Sequence, residues 1–310
     1  MSALICGSMA YDTIMVFHDK FKHHILPEKV HMLNVSFLVP VIRREFGGCA
    51  GNIAYNLKLL GEEPNIMATV GHDFEPYAQW LNRCQIPSKY IKTMDNDYTG
   101  QAYITTDEDD NQITAFHPGA MNSSHKNSIP LDAEITIGIV SPDGKEGMQL
   151  HAKEFVEEEI PFIFDPGQGM PMFNGEELLD FLDLATYATF NDYESELMQD
   201  RTGLSLEQVA EKVDALIVTM GGEGSKIYTD GKCIDIPSAQ AKELADPTGC
   251  GDAYRAGLLY GIMNEYDWET TGRIASLLGA IKIEHHGTQN HSFTMESFKA
   301  RYTETFGQSF

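Results

Sequence analysis

The residues best suited to do chemistry lie together in Asp246-Pro247-Thr248-Gly249-Cys250-Gly251-Asp252, which opens the apolar segment from Ala253 to Met263. Gly249 and Gly251 flank one small residue, so successive backbone amides can point out of a tight turn, where the positive end of a following helix dipole adds to them. Such a turn cradles an anion. A phosphoryl group in transfer is one, and Asp252, in the first helical turn, could accept the proton of an attacking hydroxyl. Asp and Gly also build ordinary caps and turns, and the motif alone does not separate the two roles.

Other polar groups follow short apolar runs. Ala3 to Cys6 reads as a buried strand stopping at Gly7, with Asp12 just beyond the strand end; a carboxylate there can accept from substrate hydroxyls or simply finish a turn. Gly47 and Gly48 precede Asn52 and a helical face formed by residues 53, 54, 57 and 60, which Gly61 ends. Glycines at that entry let a ligand approach the backbone, or let helices pack closely. Asp165-Pro166-Gly167-Gln168, Asn191-Asp192-Tyr193-Glu194 and Gly221-Gly222-Glu223-Gly224 each follow a strand-like run and read equally as cap or turn chemistry.

The elements that must hold these groups alternate. Glu134 to Val140, Phe162 to Phe164, Ala188 to Phe190 and Ala215 to Met220 read as strands, with Leu150 to Glu159, Leu206 to Lys212 and Ile274 to Ile283 as helices. Alternation predicts a largely parallel sheet with helices on both faces and ligands at the carboxyl ends of its strands. Between Phe17 and Glu45 the pattern is shorter and two-sided, as in His31 to Val39, and Gln101 to Thr106 pairs with Gln112 to Phe116 as a hairpin. These are either plain surface strands or a small sheet that closes over a substrate.

Composition narrows the function classes. With 310 residues, 42% of them hydrophobic, and scattered Gly and Pro, one domain over residues 1–310 is expected. Forty-six acidic against 22 basic residues give a charge of -24 without any Lys/Arg cluster, which speaks against nucleic-acid and acidic-membrane partners. Five widely spaced cysteines suggest free thiols in a reducing cytoplasm rather than a disulfide framework or zinc site. The amino terminus lacks the basic leader of a signal peptide, and no run reaches the length of a membrane span. Neither GxxxxGK[ST] nor GxGxxG after the first strand is present, so a P-loop or dinucleotide fold is not expected.

The stretch DPTGCGDAYRAG resembles the C-terminal signature of the PfkB (ribokinase-like) family of sugar and nucleoside kinases, and Gly47-Gly48 with Asn52 and Val70-Gly71-His72-Asp73 resembles its N-terminal signature. The resemblance implies a ribokinase-like three-layer α/β/α fold with a mostly parallel central sheet and a small β-sheet lid, built from about residues 13–45 and 97–118. It implies an ATP-dependent kinase with Asp252 as general base and the amides of Gly249, Cys250 and Gly251 as anion hole, although the family usually has Ala at position 250. Asp12, Gly47, Gly48, Asn52, Gln101 and Arg255 would contact the substrate. Asn191, Thr219, Gly221 and Gly224 would hold ATP together with Gly249 and Gly251, and residues 284–290 would border its adenine. Glu194 would organise Mg2+ through water, and Asp246 would lie beside a monovalent cation such as K+.

Tyr254-Arg255, Asp165 to Gln168 and Asp109 to Thr114 look most like the nucleoside and adenosine kinase branch, which favours adenosine, converted to AMP, as substrate. Arg255, one turn beyond Asp252, would face a phosphate or form a surface ion pair. A ribokinase-like sugar kinase and a non-catalytic nucleoside-binding protein are the alternatives. The expected partners are a nucleoside or sugar and ATP, with the chain monomeric or dimeric through the lid sheet.

Overall fold

The computed structural model describes residues 2–25, 34–109 and 111–310. The chain runs β1 (Ser2–Cys6), β2 (Ala10–Val16), the short α1 (Phe21–His24), β3 (Val41–Gly47), α2 (Cys49–Leu59), β4 (Glu63–Gly71), α3 (Glu75–Arg83) and β5 (Ile91–Met94). It continues through β6 (Gly100–Thr106), β7 (Gln112–His117), β8 (Ile135–Val140), α4 (Lys145–Glu157), β9 (Phe162–Phe164), α5 (Gly175–Leu184), β10 (Tyr187–Asn191), α6 (Asp192–Thr202) and α7 (Leu206–Ala210). The last part is β11 (Ala215–Thr219), β12 (Ser225–Thr229), β13 (Lys232–Ile236), α8 (Cys250–Met263), α9 (Trp268–Ile283) and α10 (Met295–Phe306).

The period-two geometry of a strand sends alternate side chains to opposite faces, and β1 shows the result. Ala3 and Ile5 join a core with α2, α8, α9 and α10; Leu4 and Cys6 join a second core with α4, α5 and α6. Both faces of the strand are therefore buried, as its unbroken apolar run suggests. The large sheet has the order β13-β12-β11-β10-β9-β8-β1-β4-β5. Pairing is parallel from β5 across to β11 and then reverses, because β12 runs antiparallel to β11 and β13 antiparallel to β12. This is the ribokinase-like α/β architecture. Among the described residues no helix is long and apolar enough to cross a membrane.

A second sheet, β3-β2-β6-β7, stands beside the first. Asp12 lies within β2, opposite Glu45 of β3, rather than beyond a strand end as expected: residues 7–9 turn the chain so sharply that it re-enters a sheet at once. The hairpin of β6 and β7 forms as its alternation predicts. The strand expected over residues 31–39 does not: 31–33 fall outside the described residues, and 34–40 carry no regular structure. β3 begins at Val41 instead, where β2 offers a partner edge. Helices α4 and α9 begin earlier than expected, at Lys145 and Trp268.

Helix α8, which carries the central motif, is set by close packing on α9. A Cβ added at Gly257 would stand 2.4 Å from the Ala275 Cα, and one at Gly261 would stand 2.4 Å from Thr271 Oγ1. Backbone opposes the first contact, so the pair cannot yield without separating. Gly257→Ala is expected to cost about 1–3 kcal/mol as overpacking, read as a lower urea midpoint at unchanged m value.

Candidate active site

Gly249 caps α8 with φ of 79°, a left-handed conformation that glycine reaches without strain. Among the described residues the amides of Gly249, Gly251 and Asp252 have no backbone acceptor, whereas the Cys250 amide donates to Pro247 O at 3.2 Å. The cradle foreseen at residues 249–251 is thus differently composed: Cys250 is spent on closing the turn, and the Asp252 amide stands free. A row of free donors at a helix amino terminus attracts negative charge.

Asp252 is tied to the first signature. Asn52 Nδ2 donates to its Oδ2 at 2.8 Å, and Asn52 Oδ1 accepts from Gln289 Nε2 at 3.0 Å. Gln289 in turn accepts from Trp80 Nε1 at 2.8 Å, and its Nε2 lies 2.6 Å from the Tyr77 hydroxyl, which donates to Gly47 O. This chain fixes the amide of Asn52 so that its NH2 faces the carboxylate. The glycines beside it are obligatory: a Cβ at Gly48, whose φ is 86°, would stand 2.5 Å from Ser8 O, and one at Gly47 would stand 2.3 Å from Asp12 Oδ2. Asp12, Gly47, Gly48, Asn52 and Asp252 therefore share one locality.

Both carboxylates are harder to ionise than usual. Burial pushes the Asp252 pKa up to about 6, with Asp165 adding to the rise and Asn52 and Arg255 opposing it. Burial likewise raises Asp12 to about 6, with Glu45 and Asp246 contributing. At neutral pH each is still largely an anion, with enough basicity to hold a proton.

Arg255 forms an ion pair, but a buried one rather than one at the surface. It is buried, with Nη2 donating to Asp165 Oδ1 at 3.0 Å and lying 4.0 Å from Glu194 Oε2. Burial works against its charge, but Asp165 and Glu194 hold its pKa above the ordinary arginine value. Asn191 and Glu194 form a reciprocal capping box at the start of α6, with Glu194 N donating to Asn191 Oδ1 at 2.7 Å and Asn191 N to Glu194 Oε2 at 2.9 Å. Burial, then Asp165, raises the pKa of Glu194. Asp165 follows β9, and Asn191 and Thr219 end the adjacent strands β10 and β11, so the three polar stretches do gather at one sheet edge.

Beside this edge lies a cavity of about 530 Å3, lined by Thr219, Gly221, Gly224, Cys250, Gly251 and Tyr254 among others. Gly221 and Gly224 have φ of 54° and 96°. Residues 284–290, expected to border adenine, do not line it. They brace the motif loop instead: Gly287 N donates to Asp246 Oδ2 at 3.0 Å, and Thr288 Oγ1 donates to Phe46 O at 2.6 Å. Burial would raise the Asp246 pKa, but the amides of Gly287 and Thr248 hold it below the ordinary value. Gln101, expected at the substrate, is engaged by Asp73 Oδ2 at 2.9 Å and Tyr103 Oη at 2.7 Å. Lys282 escaped the sequence reading, and Gln289 entered it only within residues 284–290, not as a partner of Asn52. For Lys282 the signal was a lone charge inside an apolar helix; for Gln289 there was none.

The profile described as pfkB family carbohydrate kinase matches residues 9–295, and the chain belongs to that family. It is accordingly a phosphotransferase with an alcohol group as acceptor. The Burkholderia thailandensis nucleoside kinase in complex with inosine is 48% identical, with a TM-score of 0.91 and 99% of both chains covered. The same protein in complex with ADP-inosine gives 50% identity, a TM-score of 0.88 and coverage of 99% of this chain and 97% of that one. The Methanocaldococcus jannaschii nucleoside kinase, an archaeal member of the ribokinase family, is 31% identical with a TM-score of 0.89 over 98% of each chain.

Removing the charge of Arg255 would leave two buried carboxylates facing each other. Arg255→Met is expected to destabilise the fold by about 3–5 kcal/mol, measured by equilibrium urea unfolding at pH 7.

Proposed function

We propose that the protein transfers the γ-phosphoryl group of ATP to the 5′-hydroxyl of a nucleoside, with adenosine, giving AMP, as the favoured substrate. The observation that carries this reading is the Asn52–Asp252 hydrogen bond, which places one oriented carboxylate between the sugar-side groups and the free amides of α8. Similarity to kinases solved with inosine and with ADP-inosine supports a purine nucleoside on the one side and a nucleotide on the other.

Asp12, with the close backbone of Gly47 and Gly48, accepts from the ribose hydroxyls, and Asn52 holds the Asp252 carboxylate through its amide donor. Asp252 takes the proton as the 5′-oxygen attacks phosphorus; the bond to the β-phosphate oxygen breaks and ADP leaves. The amides of Gly249, Gly251 and Asp252 meet the charge on the transferring group. Thr219, Gly221 and Gly224 flank the cavity for the nucleotide, and the capped Asn191 ends β10 at the same edge. Glu194 and Asp165 form an oxygen-only donor set, sharing one arginine, that fits outer-shell contact to magnesium. Bound with the nucleotide, that ion would neutralise phosphate charge. In this reading Arg255 holds these carboxylates rather than touching substrate. Gln101 acts through Asp73, and the small sheet carrying it serves as the lid.

Release of ADP from Mg-ATP, screened over purine and pyrimidine nucleosides and over ribose and related sugars, tests the reading. Turnover is expected with nucleosides, adenosine foremost. Turnover with furanose sugars alone would make it a sugar kinase, and nucleoside binding without ADP release would make it a non-catalytic binder.

Asp252→Asn keeps the size and the Asn52 contact while removing the base. It should lower kcat by about 10²–10⁴, with circular dichroism unchanged. The raised pKa fixes a second sign: a group harder to ionise in the fold than in the unfolded chain favours folding below its unfolded value, and that contribution is lost as pH rises through about 6. Above that pH Asp252→Asn should melt higher than the parent, with the difference vanishing in acid. In the parent, kcat/KM should fall below pH about 6 as Asp252 and Asp12 protonate.

A further inference from the structure

Lys282 is 0% exposed, on a helix otherwise apolar over Ile274 to Ile283. Its Nζ donates to Asp246 O at 2.7 Å and reaches His285 O at 3.4 Å. Neither partner is a carboxylate. The Asp246 side chain, the natural counter-ion, is occupied with the amides of Thr248 and Gly287. The ammonium therefore sits in a nest of backbone carbonyls between two loops, the one that supplies the free amides and the one that braces it through Gly287 and Thr288. Carbonyl oxygens converging from two loops beside a neighbouring carboxylate are the donor set a dehydrated monovalent cation uses, and an ammonium head has comparable size and equal charge.

We propose that Lys282 is a built-in cation: its ammonium occupies the position beside Asp246 where the family resemblance implied K+, and so the motif loop is held without any soluble monovalent ion. These groups as they stand leave no room for a free K+, because the Asp246 carbonyl already accepts from Lys282 and both its carboxylate oxygens accept from amides. A tethered charge is worth its burial here because it cannot dissociate, and the carbonyl it pins belongs to the residue six positions before Asp252. Displacement of that loop would move the amides of Gly249, Gly251 and Asp252 together. Lys282 is thus a positioning residue. Its expected effect on turnover rests on the phosphoryl-transfer reading, but its occupation of the site does not.

The test has an arm that needs neither variant nor substrate. Melting of the full chain is compared in potassium, ammonium and choline chlorides at equal ionic strength. The parent should show equal melting in all three; a rise specific to potassium would overturn the proposal, since a ligand that binds the folded state raises its stability. Lys282→Ala then empties the site. The variant should melt lower in choline and recover, saturably, in potassium or ammonium, and a folded variant indifferent to the cation would overturn the proposal. With a nucleoside that the parent phosphorylates, Lys282→Ala in choline should lose on the order of 10² in kcat and regain turnover with potassium or ammonium. A parent that phosphorylates nothing would refute the kinase reading while leaving the melting arms to decide the lysine.

Discussion

The site depends on one hydrogen bond, from the Asn52 amide to the Asp252 carboxylate, which joins the amino-terminal turns of α2 and α8 across 200 positions of sequence. Two helix amino termini brought together repel each other electrostatically unless an anion lies between them. Asp252 is that anion in the unliganded protein. Burial, with Asp165, resists its ionisation while the Asn52 hydrogen bond and Arg255 favour it, and the outcome is a pKa of about 6 rather than the ordinary acidic value. Gln289, Tyr77 and Trp80 keep the amide of Asn52 from turning its oxygen toward the carboxylate, an arrangement that would otherwise set acceptor against acceptor.

Around this pair the protein places charge unevenly. Asp165, Glu194 and Arg255 form a buried group with two acids and one base, and Asp12 lies near Glu45 and Asp246. Such a surplus of negative charge disfavours an anionic ligand on its own. It suits a ligand whose phosphates arrive with a divalent cation, and it makes the free amides of α8 the main local attraction for the transferring group. The capping box of Asn191 and Glu194 shows how a residue can have both a structural and a site role: one carboxylate oxygen closes the helix, and the acid stays at the strand end that faces the cavity.

Much of this was legible in the sequence because the large sheet is buried on both faces. Its strands read as unbroken apolar runs, and the polar groups that follow them had to collect at one edge. The GxGD motif and the Gly-Gly-x-x-x-Asn entry were readable for a similar reason, since only glycine tolerates φ of 79° at Gly249 or the approach of Ser8 O at Gly48. What was not legible depended on distant partners. Gln289 is 237 positions from Asn52, and nothing local marks it. Residues 34–40 alternate like a strand but carry no regular structure, whereas β3, with two arginines, forms paired with β2. Arg255 read as facing a phosphate or as a surface ion pair; its burial depends on two acids, Asp165 after β9 and Glu194 in α6, that no local signal connects to it.

The reversal of direction at β11 has a geometric consequence. Every parallel neighbour in the sheet demands a crossover, and a crossover roofs the strand ends it spans. At β11 the chain instead doubles straight back through Gly221 to Gly224 into β12, so no crossover helix joins these two strands, and the cavity beside them is walled by α8 and α9. Connectivity thus shapes the cavity: a tight reversal carrying two positive-φ glycines forms its sheet side, where a parallel neighbour would have required a crossover.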